Sequence, residues 1–130
     1  MIVVDTSVWI AARKQKRVAD VLRSLVEADE AAIALPVRLE LLAGIPSHER
    51  REFVRMFGAL PHLHPSEDDW LRLPRWIERA AEAGERFGIP DLLIASATTE
   101  IGGLVWSLDK DFERMERLGF VQRYDPPDIH

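Results

Sequence analysis

Ile2-Val3-Val4-Asp5-Thr6-Ser7 opens the chain with three apolar, strand-favouring residues, an acid and two hydroxyls. The apolar triplet reads as a short buried strand, and the polar triplet supplies cap-type residues for a helix running through Ala12. A strand that passes directly into a helix is half of a βα unit. The rest of the chain repeats that alternation. Val21, Leu22, Leu25 and Val26 recur at helical spacing within residues 18–29, and Ala32-Ile33-Ala34-Leu35 forms a second strand candidate. Pro36 begins the next turn, a helix over 37–43 ends at Gly44, and another starts at Ser47 and carries Phe53, Val54 and Phe57 inward. His62-Leu63-His64 is a weak third strand, and Ser66 to Asp69 form an acidic helix start. Pro74 predicts a kink, or two abutting helices, within residues 68–87. Gly88-Ile89-Pro90 reads as a turn before an apolar helix over 91–101. Gly102-Gly103 closes that helix, Leu104 to Ser107 form the fourth strand, a charged helix covers 110–117, and Phe120-Val121 reads as a last short strand.

Strands alternating with helices imply an α/β fold, a parallel sheet covered on both faces with right-handed crossovers. Ligands in such sheets sit at the C-terminal edge of the strands, where strand order reverses. The length of 130 residues and a 47% hydrophobic content fit one domain spanning 1–130 with its own core. There are no cysteines, which excludes disulfides, thiolate metal sites and cysteine nucleophiles. His48, His62, His64 and His130 lack zinc-site spacing, and His62 and His64 read better as a solvated strand edge. The N-terminal segment lacks the preceding positive charge of a secretory signal, and no apolar run approaches the span of a bilayer, so the expectation is a soluble, cytoplasmic protein. The net charge of −5 disfavours a passive nucleic-acid coat, although 14 of the 17 basic residues are arginine, the better bidentate phosphate binder.

Four acids stand in or beside apolar segments: Asp5, Glu40, Asp91 and Asp109. Asp5 is placed to cap the first helix, as Thr6 and Ser7 also are. Glu40 shares a helical stripe with Val37, Leu41 and Gly44, which points it inward; the alternative is a partly exposed glutamate paired with Arg38 or Arg51. Asp91 lies in a helix first turn, where the helix dipole favours it. Asp109 and Asp111 flank the start of the last helix, and Asp111 is the better placed of the two to cap it. Gathered together, such acids repel one another unless a divalent cation neutralises them, and an oxygen-only ligand set suits magnesium or manganese.

These segments resemble the PIN-domain family, most closely its VapC-type toxins, over nearly the whole chain. Ile2 to Ser7 is similar to the family's strand ending in an acid and a hydroxyl, and Leu39-Glu40-Leu41-Leu42-Ala43-Gly44 to its helical acid. Asp91-Leu92-Leu93-Ile94-Ala95-Ser96-Ala97 is similar to the third acidic motif. Ser107-Leu108-Asp109-Lys110-Asp111-Phe112 resembles the closing motif, with Ser107 where threonine is commoner. The resemblance implies a three-layer α/β/α domain with a short central parallel sheet. It implies a magnesium-dependent endoribonuclease, with manganese as an alternative metal, hydrolysing RNA phosphodiester bonds. Asp5, Glu40, Asp91 and Asp109 would be catalytic, with Asp5, Asp91 and Asp109 on the metal and Glu40 either binding it or orienting water. Thr6 and Ser107 would donate supporting hydrogen bonds, and Asp111 would help hold a second metal. It further implies a cognate VapB-type antitoxin and a homodimer. Arg13, Lys14, Lys16 and Arg17 form the strongest local basic run, a candidate RNA-phosphate track set against a plain solvated turn. Two other classes compete. A phosphoacceptor signalling domain also gathers acids and magnesium at a sheet edge but gives no role to Glu40 and has only Lys110 for its lysine. A non-catalytic binding module would have no reason to keep all four acids.

Overall fold

A computed structural model describes residues 1–127; His130 lies outside the described residues. Its elements are β1 (Ile2–Val4), α1 (Thr6–Ala12), α2 (Lys16–Glu27), β2 (Ala31–Ala34), α3 (Leu35–Gly44), a 3-10 turn (Ser47–Glu49) and α4 (Arg50–Gly58). They continue with β3 (His62–Leu63), α5 (Glu67–Glu82), α6 (Ile89–Glu100), β4 (Leu104–Trp106) and α7 (Asp111–Arg117). The sheet is parallel throughout, in the order β3-β2-β1-β4. The chain steps outward from β1 to β2 and β3, then crosses back to lay β4 on the other side of β1. β1 and β4 therefore flank the point where strand order reverses, and Val4 pairs with Trp106 at their C-terminal ends.

Burial explains why these short strands persist. Every residue of β1 and β2 is buried, the run of apolar residues expected of a parallel strand covered on both faces. α2 instead buries one stripe, Val18, Leu22 and Leu25. α6 buries Leu92 and every residue from Ile94 to Thr98, so it runs through the core rather than over it. Gly103 lets β4 approach β1 closely: a Cβ there would stand 2.7 Å from the Met1 carbonyl, which accepts the Leu104 amide at 3.1 Å.

The structure corrects several boundaries. α5 is one helix from Glu67 to Glu82 with Pro74 inside it. Pro74 is exposed, so its ring lies on the solvent side of the helix. Leu35 and Pro36 open α3, and Ile89 and Pro90 open α6: each proline occupies a first-turn position where its missing N–H costs nothing. No strand forms at Phe120-Val121. The chain pairs with β4 slightly later and only once, through the Val105–Arg123 bridge, while Phe120 and Val121 are core. Val54 is exposed, and α4 turns Phe57 inward.

Candidate metal centre

The turn after β1 and the turn after β4 are stitched together by two serines. Asp5 is the N-cap of α1 and is buried despite its charge. Its Oδ2 accepts from Ser7 Oγ at 2.8 Å, from Ser107 Oγ at 2.7 Å and from the Ser7 amide at 3.4 Å. Each serine in turn accepts an amide from the β4 turn, Leu108 N on Ser7 Oγ and Asp109 N on Ser107 Oγ, both at 3.0 Å. Two neutral hydroxyls thus stabilise a buried carboxylate, and the other oxygen, Oδ1, takes none of these bonds. Capping and site membership coexist in Asp5.

Asp91 enters from the first turn of α6, and Asp109 and Asp111 from the β4–α7 junction. One carboxylate oxygen from each of these three lies within 4.8 Å of the others. Asp109 Oδ1 also accepts the Asp111 amide at 2.9 Å, so Asp109 rather than Asp111 caps the turn into α7. Glu40 departs from its expected inward course. It is exposed and accepts from Thr6 Oγ1 at 2.9 Å, because Val37 and Leu41 alone carry the buried stripe of α3. Thr6 therefore orients Glu40, and Ser7, expected only as a capping residue, takes the place beside Asp5.

Asp91 reports the electrostatics of the group. Burial, and then the negative charges of Asp5, Asp109, Asp111 and Glu40, push its carboxyl up from 3.8 to about 7. Asp5 and Glu40 act on it from outside the close group of Asp91, Asp109 and Asp111. The folded chain binds this proton more tightly than the unfolded chain. Stability from this group is complete at pH values below the unfolded value, falls as pH rises through the interval, and is lost above about 7. In metal-free protein Asp91→Asn is therefore expected to raise the melting temperature by ~3–5 °C near pH 8, about 1 kcal/mol after allowing for the partial exposure of the group. That gain should vanish near pH 4, as a pH series of thermal melts in EDTA will show; an equal gain at both ends would contradict it.

The donor set fits a divalent cation. It is all oxygen, it is partly buried, and burial together with the repulsion of the neighbouring acids disfavours the charge on Asp91, which a cation would offset. The PIN-domain family model matches residues 2–118. This chain belongs to the PIN-domain family. PIN domains are in general nucleases that work with divalent metal ions. No curated protein matches the sequence. Among solved structures the PIN domain is similar to VapBC2 from Rickettsia felis bound to a DNA fragment from their promoter: 18% identity, TM-score 0.77, covering 96% of this chain and 100% of that one. It is similar to VapBC-1 from nontypeable Haemophilus influenzae at 19% identity and TM-score 0.77, covering 96% and 98%. FitAcB from Neisseria gonorrhoeae gives 21% identity and TM-score 0.73, covering 99% and 100%. At these identities the likeness is one of fold.

The basic run of the α1–α2 turn divides in the structure. Arg13 pairs with Glu49 at 2.8 Å and lies over the Phe53 ring at 5.8 Å, and Lys16 pairs with Asp20 at 2.8 Å. Lys14 and Arg17 stand exposed. Both ring nitrogens of His62 have protein partners: Nε2 lies 2.6 Å from the Phe57 carbonyl and Nδ1 3.3 Å from Arg38 Nη1. No helix among the described residues is long and apolar enough to cross a membrane.

Proposed function

We propose that this PIN domain is the metal-dependent endoribonuclease toxin of a VapBC-type pair, hydrolysing RNA phosphodiester bonds and inhibited by a cognate antitoxin. The observation that carries the reading is the convergence of Asp91, Asp109 and Asp111 at the C-terminal edge of the sheet beside Asp5. Asp5, Asp91 and Asp109 would hold the metal, magnesium or manganese, with Asp111 available to it as well. A divalent ion there supplies a lowered pKa for attacking water and neutralises charge on the scissile phosphate and leaving oxygen. The chain's own residues do the rest. The Ser7 and Ser107 hydroxyls fix the Asp5 carboxylate, Asp109 is anchored by the amide it caps, and Glu40, held by Thr6 at the exposed rim, is placed to bind metal or to orient a water. Arg13, Lys14, Lys16 and Arg17 are all exposed and would meet an RNA backbone, the surface pairs of Arg13 with Glu49 and of Lys16 with Asp20 being weak enough to yield to phosphate.

An apolar groove of about 290 Å³ between α1, α2 and α4 supports the antitoxin half of the reading. Trp9, Leu22, Val26, Phe53 and Met56 line it, with Arg13 and Arg23 among its walls. That chemistry suits an amphipathic helix with an apolar face and acidic flanks. The solved VapBC and FitAcB structures, which share the fold, are in keeping with such a partner, and a homodimer is the expected assembly. The test is incubation of purified protein with total RNA. Cleavage at discrete positions in magnesium or manganese, abolished by EDTA and restored by excess metal, is the expected result. Cleavage undiminished by EDTA would sink the assignment, and phosphate transfer from a small donor to an aspartate would replace it with a signalling role.

A further inference from the structure

Asp111 is the acid least accounted for by its own surroundings. It sits at the first position of α7, where the helix dipole alone would leave it free to turn to solvent, and it adds repulsion to a group already short of positive charge. A cation three residues on meets it. Arg114 Nη2 donates to Asp111 Oδ1. Pairs at that spacing are ordinarily weak surface contacts, because holding two long side chains in register costs entropy. Arg114 is held on two further sides. Its Nε, shielded from solvent, lies 3.1 Å from Glu85 Oε2 without aligning for a hydrogen bond, and its guanidinium carbon stands 5.7 Å from the centroid of the Phe87 ring. Phe87 is buried and meets Phe120 edge to face at 6.3 Å, so this wall belongs to the core. Glu85 and Phe87 precede α6, the helix that bears Asp91. One guanidinium therefore ties the segment leading to Asp91 to the acid that joins Asp91 from α7.

We propose that Arg114 is a positioning residue for the metal centre: pinned by Glu85 and Phe87, it holds the Asp111 carboxylate among Asp91 and Asp109 so that Asp111 serves as a metal ligand. The proposal rests on the metal-dependent reading of the site. Arg114 acts through Asp111 and has no contact of its own with the metal or substrate to make. A fixed planar fork is suited to this, since it locks the orientation of the oxygen it binds while leaving the second carboxylate oxygen uncommitted.

The experiment is a manganese titration of the metal-stripped protein, followed by calorimetry or by loss of the free-ion EPR signal. Outer groups that orient metal ligands typically govern affinity by tenfold or more, so Arg114→Ala is expected to weaken manganese binding about tenfold. Asp111→Ala should weaken it as much, and the double variant no further, because both remove one interaction. Arg114→Lys keeps the charge but loses the fork and should fall between. If Arg114 acted only as a nearby positive charge, its removal would tighten binding; that result, or an unchanged affinity, overturns the proposal. Should Arg114→Ala fail to fold, Glu85→Gln releases one side of the guanidinium and is expected to give a smaller loss, with an unchanged affinity again overturning the idea. Asp91→Asn separates the two levels. Manganese binding insensitive to Asp91→Asn sinks the metal site itself, whereas binding that Asp91→Asn abolishes and Arg114→Ala leaves untouched sinks only the role of Arg114.

Discussion

Replacing Asp5 by asparagine is expected to lower RNA cleavage by at least about a hundredfold while leaving the fold intact. The amide oxygen of asparagine still accepts the Ser7 and Ser107 hydroxyls and still caps α1, so the two turns stay joined. What is lost is an anionic ligand, for which a neutral amide is a poor substitute. The same change removes a negative charge that helps hold the proton on Asp91, so the Asp91 carboxyl should titrate lower in the variant. Circular dichroism and a melting temperature at or above that of the parent will establish the fold, and mapping of cleavage ends in total RNA will establish the loss. Turnover equal to the parent in a preparation free of contaminating nuclease would remove Asp5 from the site.

The largest loss of stability is expected from Asp69→Ala, about 3–5 kcal/mol, with hardly any direct bearing on chemistry. Asp69 is only 2% exposed. It closes a capping box with Ser66, accepts from Ser96 Oγ, and lies 3.4 Å from Arg72 Nη1. Arg72 also donates to Ser96 Oγ at 2.9 Å and to Glu100 at 2.6 Å, so α5 and α6 are joined through a polar cluster that is buried at Asp69 and Ser96 and reaches the surface at Glu100. Alanine leaves the serine hydroxyl and part of the guanidinium without their acceptor inside the protein, and an uncompensated buried polar group is expensive. Asparagine keeps the shape but only one of the two accepting oxygens, so either the Ser66 or the Ser96 and Arg72 donors lose their acceptor, and it should lose about 1–2 kcal/mol. Urea denaturation of the three proteins orders them. Asp69→Ala within 1 kcal/mol of the parent would show that the cluster contributes little beyond packing.

The alternation of strands and helices is legible in the sequence because each buried strand is a short apolar run and each helix shows its stripe. Proline was the main source of misreading. Pro36 and Pro90 look like breaks between elements yet stand inside the first turns of α3 and α6, and Pro74 is tolerated on an exposed face. The acids were legible as a set, since each interrupts an apolar segment. Their geometry was not: the stripe containing Val37 and Leu41 says nothing about Thr6, which holds Glu40 at the rim. Ser7 carried a signal, a hydroxyl two residues after an N-cap acid, but its reach to Leu108 depends on β1 and β4 lying side by side. Asp69 is legible as part of an acidic helix start, but its bond to Ser96 is not, and neither is the contact of Arg114 with Glu85, because those partners come from elements distant in sequence.

The bond between Ser107 and Asp5 joins residues 102 positions apart, and β4, which delivers Ser107, is the last strand of the sheet. A chain still being translated carries Asp5, Glu40 and finally Asp91 clear of the ribosome before residues 104–109 emerge, and until then Asp5 has neither Ser107 beside it nor Asp109 within reach. The acidic group is thus assembled only once β4 has joined the sheet beside β1. A fragment ending before β4 lacks Ser107, Asp109 and Asp111.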